Sequence, residues 1–177
     1  MWTILILLLL VYAYYAGRRR GLMLQLVYSG GYLLTFLIAR LSYLSLAPHL
    51  TLWVPYQSAD LSSKFAFFSQ KTGFKLDKAF YAACAFMLIM VIGWALVRFV
   101  GILSSQLTFY PLKQQQSLIG GAVLNVVTVY VGIYLVLTVL TLFPLPLFQN
   151  AFMHSWFLKG MIKLTPIPAL SWWLAAI

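Results

Sequence analysis

The chain has 177 residues, 63% hydrophobic and only 8% charged, with a mean hydropathy of +0.94. A soluble domain carries roughly a quarter of its residues as charges, so this composition excludes a soluble globular fold and points to a membrane protein. Twelve Lys and Arg stand against two acids, both Asp, for a net charge of +10, and that scarcity of carboxylates removes the raw material of most hydrolases.

At about 20 residues per crossing plus loops, the length suits one domain of about four or five transmembrane helices. The first uncharged window runs from Met1 to Gly17 and predicts a span over 2–17. At 1.5 Å per residue it reaches about 25 Å, slightly short of a hydrocarbon core of about 30 Å, with Trp2, Tyr12, Tyr14 and Tyr15 available as interfacial anchors. A cleaved signal peptide is disfavoured: no basic residue precedes the apolar run, and Ala13-Tyr14-Tyr15-Ala16 is not a small-x-small cleavage site. Arg18, Arg19 and Arg20, bracketed by Gly17 and Gly21, form a very short basic turn. A second uncharged window, closed by Arg40, predicts a span over 21–40 and completes a helical hairpin.

Residues 41–78 change character, with Pro48, Pro55, His49, Asp60, Asp77, Lys64, Lys71, Lys75 and Lys78, and are expected to form an extramembrane loop. Within it, Leu61, Phe65 and Phe68 recur at i, i+4 and i+7, consistent with a short interfacial helix over Ala59–Lys71 capped by Ser58 or Asp60. A third span is expected over 79–99. An amphipathic continuation follows to Tyr110 and is stopped by Pro111. After a polar turn from Lys113 to Ser117, a fourth span over 118–142 ends at Pro144 and Pro146. The tail, 147–177, holds Lys159, Lys163, Pro166, Pro168, Trp172 and Trp173; its apolar runs are too broken for a fifth crossing and predict an interfacial helix near Phe152–Leu164. The fold class expected is all-α: one polytopic membrane domain over 1–177 with four transmembrane helices plus interfacial amphipathic helices.

Four spans put both termini on one side. The basic residues then divide five (Arg18, Arg19, Arg20, Arg98, Lys113) against seven (Arg40, Lys64, Lys71, Lys75, Lys78, Lys159, Lys163). Three charges packed beside the first helix dominate orientation over scattered ones, so the arginine turn is expected in the cytoplasm and the termini outside. The partners expected are the lipid bilayer and anionic headgroups, membrane proteins or further copies of the chain, and not nucleic acid.

No Asp, Glu, Lys, Arg or His lies at mid-depth of a span; Arg40 and Arg98 sit at helix ends, where they can snorkel. In the fourth span Gly121, Asn125, Thr128 and Gly132 share a stripe, and in the second Gln25, Tyr28 and Tyr32 do so together with Gly21 and Thr35. Two readings stand: close helix packing with interhelical hydrogen bonds, or a polar path lined by stripes from several copies. Ala79, Ala83, Gly93 and Gly101 in the third span pose the same choice. Asp60 and Asp77 suit solvated ion pairs or caps, and Cys84 among Ala82, Ala83 and Ala85 suits a small buried position. With only His49 and His154 beside one cysteine, no catalytic residue, metal site or cofactor is expected.

The turn Gly17-Arg18-Arg19-Arg20-Gly21, a second span containing Gly30-Gly31, and a polar turn leading into Ser117-Leu118-Ile119-Gly120-Gly121-Ala122 resemble the colicin V production protein (CvpA) family over about residues 1–165. Members commonly carry an acid near the start and a Glu shortly after the arginine turn, where this chain has Thr3 and Gln25. The resemblance implies a small multi-pass protein of the bacterial cytoplasmic membrane linked to toxin production and envelope stress tolerance, with no established reaction. A homo-oligomeric small channel or transporter lined by the Gly121, Asn125, Thr128 and Gly132 stripe is the alternative.

Overall fold

A computed structural model describes residues 2–56, 65–73, 75–106 and 114–176. Its elements are α1 (Trp2–Leu50), α2 (Gln70–Gly73), α3 (Leu76–Leu103), α4 (Gln114–Thr141), α5 (Pro146–His154), α6 (Trp156–Leu164) and α7 (Ala169–Leu174), and the described residues contain no strand. Three of these helices, α1, α3 and α4, are long and apolar enough to cross a membrane, as an all-α membrane protein requires. Residues 57–64, which include 59–64 of the expected interfacial helix and its cap candidates Ser58 and Asp60, lie outside the described residues, as do 107–113, with Tyr110, Pro111 and Lys113. The described end of that first segment holds the single turn α2.

The chain divides into two compact units, Met1–Arg40 with Leu88–Ile133, and Leu41–Met87 with Tyr134–Ile177. In the first unit α1 is interrupted at Gly21, whose φ of 75° and ψ of 170° are not helical. Contacts with α4 give the direction of the two arms. Before the break, Gly17 meets Gly121 and Ala13 meets Asn125, so the first arm runs antiparallel to α4. After it, Leu22 meets Ser117 and Ser29 meets Thr128, so the second arm runs parallel to α4. The arms are therefore antiparallel to one another, the hairpin expected from the sequence. α3 lies antiparallel on the second arm in a register set by Tyr28 against Gly101, Gly31 against Val97 and Thr35 against Gly93.

The helices outrun the apolar windows. α1 continues through Pro48 to Leu50 instead of ending near Arg40, so 41–50 of the expected loop is helix, and the arginines occupy the last turn of the first arm rather than a loop. Lys and Arg are good helix formers, and a basic last turn complements the negative end of the helix dipole.

The second unit is cemented by aromatic rings. Phe80 packs against Tyr56 and Phe143, each at 4.8 Å between centroids, and Phe86 lies between Tyr43 at 6.2 Å and Trp173 at 5.8 Å. The small face of Ala79, Ala82, Ala83 and Ala85 is buried, which lets neighbouring chain approach α3 closely, while Cys84 is a free thiol, half-buried rather than buried. The tail helix expected near Phe152–Leu164 is split at Ser155, which ends α5 and caps α6 by accepting a hydrogen bond from the Leu158 amide at 3.3 Å. Lys159 closes the joint, donating to the Met153 carbonyl at 2.8 Å. α7 is held by the Tyr43 hydroxyl, which donates to the Trp172 carbonyl at 3.1 Å, and Tyr134 donates to the Ile167 carbonyl just before it.

Beyond the end of α1, the Tyr56 hydroxyl donates to the Leu142 carbonyl at 3.3 Å. Burial, with the Asp77 charge and Tyr81 nearby, pushes its pKa up to about 12 from an ordinary 10. A raised tyrosine pKa stabilises the fold fully below pH 10, and that contribution is lost as pH rises from 10 through 12. Tyr56→Phe is expected to flatten this part of the alkaline fall in thermal midpoint relative to the unsubstituted protein. Parallel pH profiles of the two would count against the assignment.

Candidate functional site

The two glycine motifs of the sequence meet in the first unit. Gly21 occupies a region of backbone space essentially restricted to glycine, which turns the chain within one residue. The second arm then starts with amide groups that have no helical partner, and Ser117 at the head of α4 supplies one, its Oγ accepting from the Leu22 amide at 3.2 Å. One turn further along α4, Gly121 presses on the break. A Cβ there would lie 2.7 Å from the Gly17 carbonyl oxygen and 2.8 Å from the Gly21 carbonyl carbon, so only hydrogen fits between the backbones. One turn further again, the buried Asn125 amide donates to the Ala13 carbonyl at 2.6 Å.

A chain of hydrogen bonds ties the second arm to α4. Arg20 Nη1 donates to Gln25 Oε1 at 3.5 Å, Gln25 Nε2 to Ser29 Oγ at 3.3 Å, and Ser29 lies 2.9 Å from Thr128 Oγ1. Thr128 already donates to the Leu124 carbonyl at 2.8 Å, so Ser29 is the donor in that pair and every donor in the chain points the same way. Gln25, fully buried, must accept and donate at once; an ionised Glu in its place could only accept.

On the other face of the second arm, the buried Tyr28 ring lies over Gly101 and stacks on Tyr32 at 6.3 Å between centroids. Arg20 stands 4.9 Å and Arg98 5.4 Å from the centre of the Tyr28 ring. Arg98 also covers Trp94, at 5.6 Å. Arg18 and Arg19 are exposed, Arg19 lying over Tyr15 at 5.9 Å.

Of the first stripe, the structure brings Gly121, Asn125 and Thr128 against the two arms; Gly132 is exposed, with nothing near where its Cβ would be. Of the second, Gln25 is directed through Ser29 toward α4, whereas Tyr28 is directed toward α3. Sequence reasoning assigned no role to Ala13, Ser29 or Ser117, and it placed Arg98 at a helix end, free to snorkel. Ser29 lies four residues after Gln25, a helical neighbour whose hydroxyl was the available signal. The arrangement offers hydrogen-bond donors and positive charge without a carboxylate. Among the described residues no group of three His, Cys, Asp or Glu could hold a metal ion.

Three long apolar helices, one of them folded back on itself at a glycine, define a small all-α membrane protein. The family model described as Colicin V production protein matches residues 2–166, and the chain belongs to that family. The match takes in both glycine motifs and bears out the resemblance they carry. The chain is also 32% identical over 166 residues to the "Uncharacterized transmembrane protein YshB" of Bacillus subtilis (strain 168), covering 94% of this chain and 92% of that relative. No solved structure matches it.

Proposed function

We propose that the chain is a non-enzymatic component of the bacterial cytoplasmic membrane that supports toxin production or export, or envelope homeostasis. The observation that carries this reading is the junction of the two glycine motifs within a chain whose family is described by production of colicin V. The polar groups of that junction satisfy one another, which suits a rigid scaffold that presents its apolar faces to lipid and to other membrane proteins. A strain lacking the protein is expected to release several-fold less secreted peptide toxin, or to lose viability under a membrane-active detergent. Restoration by the unsubstituted gene completes the test, and a deletion strain indistinguishable from its parent in both assays would overturn the reading.

Four crossings follow from this reading: the two arms of α1, then α3 and α4. The first arm, Trp2 to Arg20, is about 28 Å long and suffices for a bilayer core, whereas the nine residues of α5 or α6 reach only about 14 Å and lie in the interface. With the arginine turn cytoplasmic, anionic headgroups are its natural counter-charges and Thr51, exposed at the far end of α1, is outside. Thr51→Cys in a Cys84→Ser background is expected to react with an impermeant maleimide in intact spheroplasts. Reaction only after lysis would reverse the orientation. The reading as a homo-oligomeric channel has less support, because Asn125 donates to its own chain and only Gly132 of the four stripe residues is exposed.

A further inference from the structure

We infer that Arg20 and Arg98 form a binding site for a phosphate group, with the Tyr28 ring as its floor. The inference deepens the reading above and rests on it only for the position of the site at headgroup level. Both guanidinium groups address one ring, so their central carbons lie at most about 10 Å apart.

Two cations gathered on one ring have no formal counter-charge in their own unit. Met1–Arg40 and Leu88–Ile133 include no Asp or Glu at all. Arg20 donates to the neutral Gln25 Oε1, at 3.5 Å, which brings no negative charge. Arg98 Nε is buried and has no hydrogen-bond partner among the described residues, although buried donors are nearly always paired. A phosphate supplies what is missing. It brings negative charge and several acceptor oxygens, and the guanidinium fork binds it through two parallel hydrogen bonds. The floor is rigid, because Gly101 of α3 leaves room for the Tyr28 ring and no more.

The phosphate can be that of an anionic phospholipid headgroup or free inorganic phosphate, and the experiment separates the two. The full chain in uncharged detergent is titrated with phosphatidylglycerol against phosphatidylcholine, and separately with sodium phosphate against sodium chloride at equal ionic strength, with the thermal midpoint as readout. Phosphatidylglycerol, sodium phosphate or both are expected to raise the midpoint by several degrees. A response to lipid alone identifies a headgroup site, and a saturable response to both identifies a phosphate site open to water. Arg20→Gln and Arg98→Gln are expected to weaken the response at least tenfold, and Arg98→Lys, which keeps the charge but lacks the fork, by a smaller factor. Arg19→Gln, outside the cluster, leaves the sodium phosphate response unchanged and costs the lipid response less than either Gln variant does.

The site is refuted if neither titrant acts, if the Gln variants respond like the unsubstituted protein, or if Arg19→Gln costs as much as they do. Should the Gln variants not fold, Arg98→Lys decides, and full affinity there refutes a forked site. Binding in detergent is independent of orientation, so failure of the site is distinguishable from failure of the topology or of the physiological role.

Discussion

Replacing Gly121 by Val is expected to open the hairpin junction and lower the thermal midpoint in detergent sharply, and Gly21→Ala is expected to do the same by a different route. At Gly121 the obstacle is space. Its neighbours are the backbone atoms of Gly17 and Gly21, 2.7 to 2.9 Å from where a Cβ would sit, and backbone cannot rotate away as a side chain does. Overpacking of this kind costs about 1–3 kcal/mol, and any separation of the helices also lengthens the Asn125 to Ala13 hydrogen bond, worth about 0.6–2 kcal/mol in a membrane. At Gly21 the obstacle is conformation: a φ of 75° with a ψ of 170° costs a residue with a Cβ about 1–3 kcal/mol. Gly17→Ala acts on the same contact from the other side, 2.5 Å from the Gly121 carbonyl oxygen, so its effect and that of Gly121→Val are not additive. Gly30→Ala and Gly132→Ala are the controls. A Cβ at either meets nothing within 4 Å, and both are expected to be neutral or slightly stabilising through helix propensity. A Gly121→Val protein that melts with the unsubstituted one, or a Gly30→Ala protein that falls with Gly121→Val, would refute the close approach.

These contacts explain which parts of the fold were legible beforehand. Uncharged windows mark apolar stretches, and those expected as spans over 79–99 and 118–142 overlap the helices Leu76–Leu103 and Gln114–Thr141. They do not mark helix ends, because a helix continues through charged and polar residues, as α1 does through Arg18 to Arg20 and from Arg40 to Leu50. Periodicity put Gly121, Asn125 and Thr128 on one stripe, and all three meet the arms of α1. It could not name their partners, since Ala13 is 112 residues from Asn125 and Ser29 is 99 from Thr128. Nor could it say where the stripe stops being used, because Gly132 continues the same period into open space. The Arg98 to Tyr28 contact was hidden for a related reason. An arginine near the end of an apolar window is as consistent with a snorkelling side chain as with one folded back over a ring on another helix.

The second large effect is expected at Gln149, which the sequence does not distinguish from any other glutamine. It is 1% exposed and joins three stretches of chain in the second unit. Its Nε2 donates to the Thr141 carbonyl at 3.1 Å and to the Phe143 carbonyl at 2.7 Å, and its Oε1 accepts from the Ala66 amide at 2.9 Å. Gln149→Leu fills a similar volume but strands a buried amide and two carbonyls. Each group left unpaired costs about 1–3 kcal/mol, so the sum exceeds most single substitutions. The loss should fall first on α5, which carries Phe152 against Phe67 at 5.7 Å, and amide exchange over Pro146–His154 should accelerate while exchange around Gly21 does not. Gln149→Glu separates hydrogen bonding from volume. An ionised carboxylate still accepts from Ala66 but faces two carbonyl oxygens, so this variant is expected to be less stable than Gln149→Leu at pH 8. Burial and those carbonyls raise the carboxyl pKa, and below it the protonated form regains one donor, so its midpoint should recover as pH falls toward 5 while that of Gln149→Leu does not. Equal pH profiles for the two variants would mean that Gln149 is held by packing alone, and the exposed neighbour Asn150→Ala, expected to be neutral, reports any general fragility of α5.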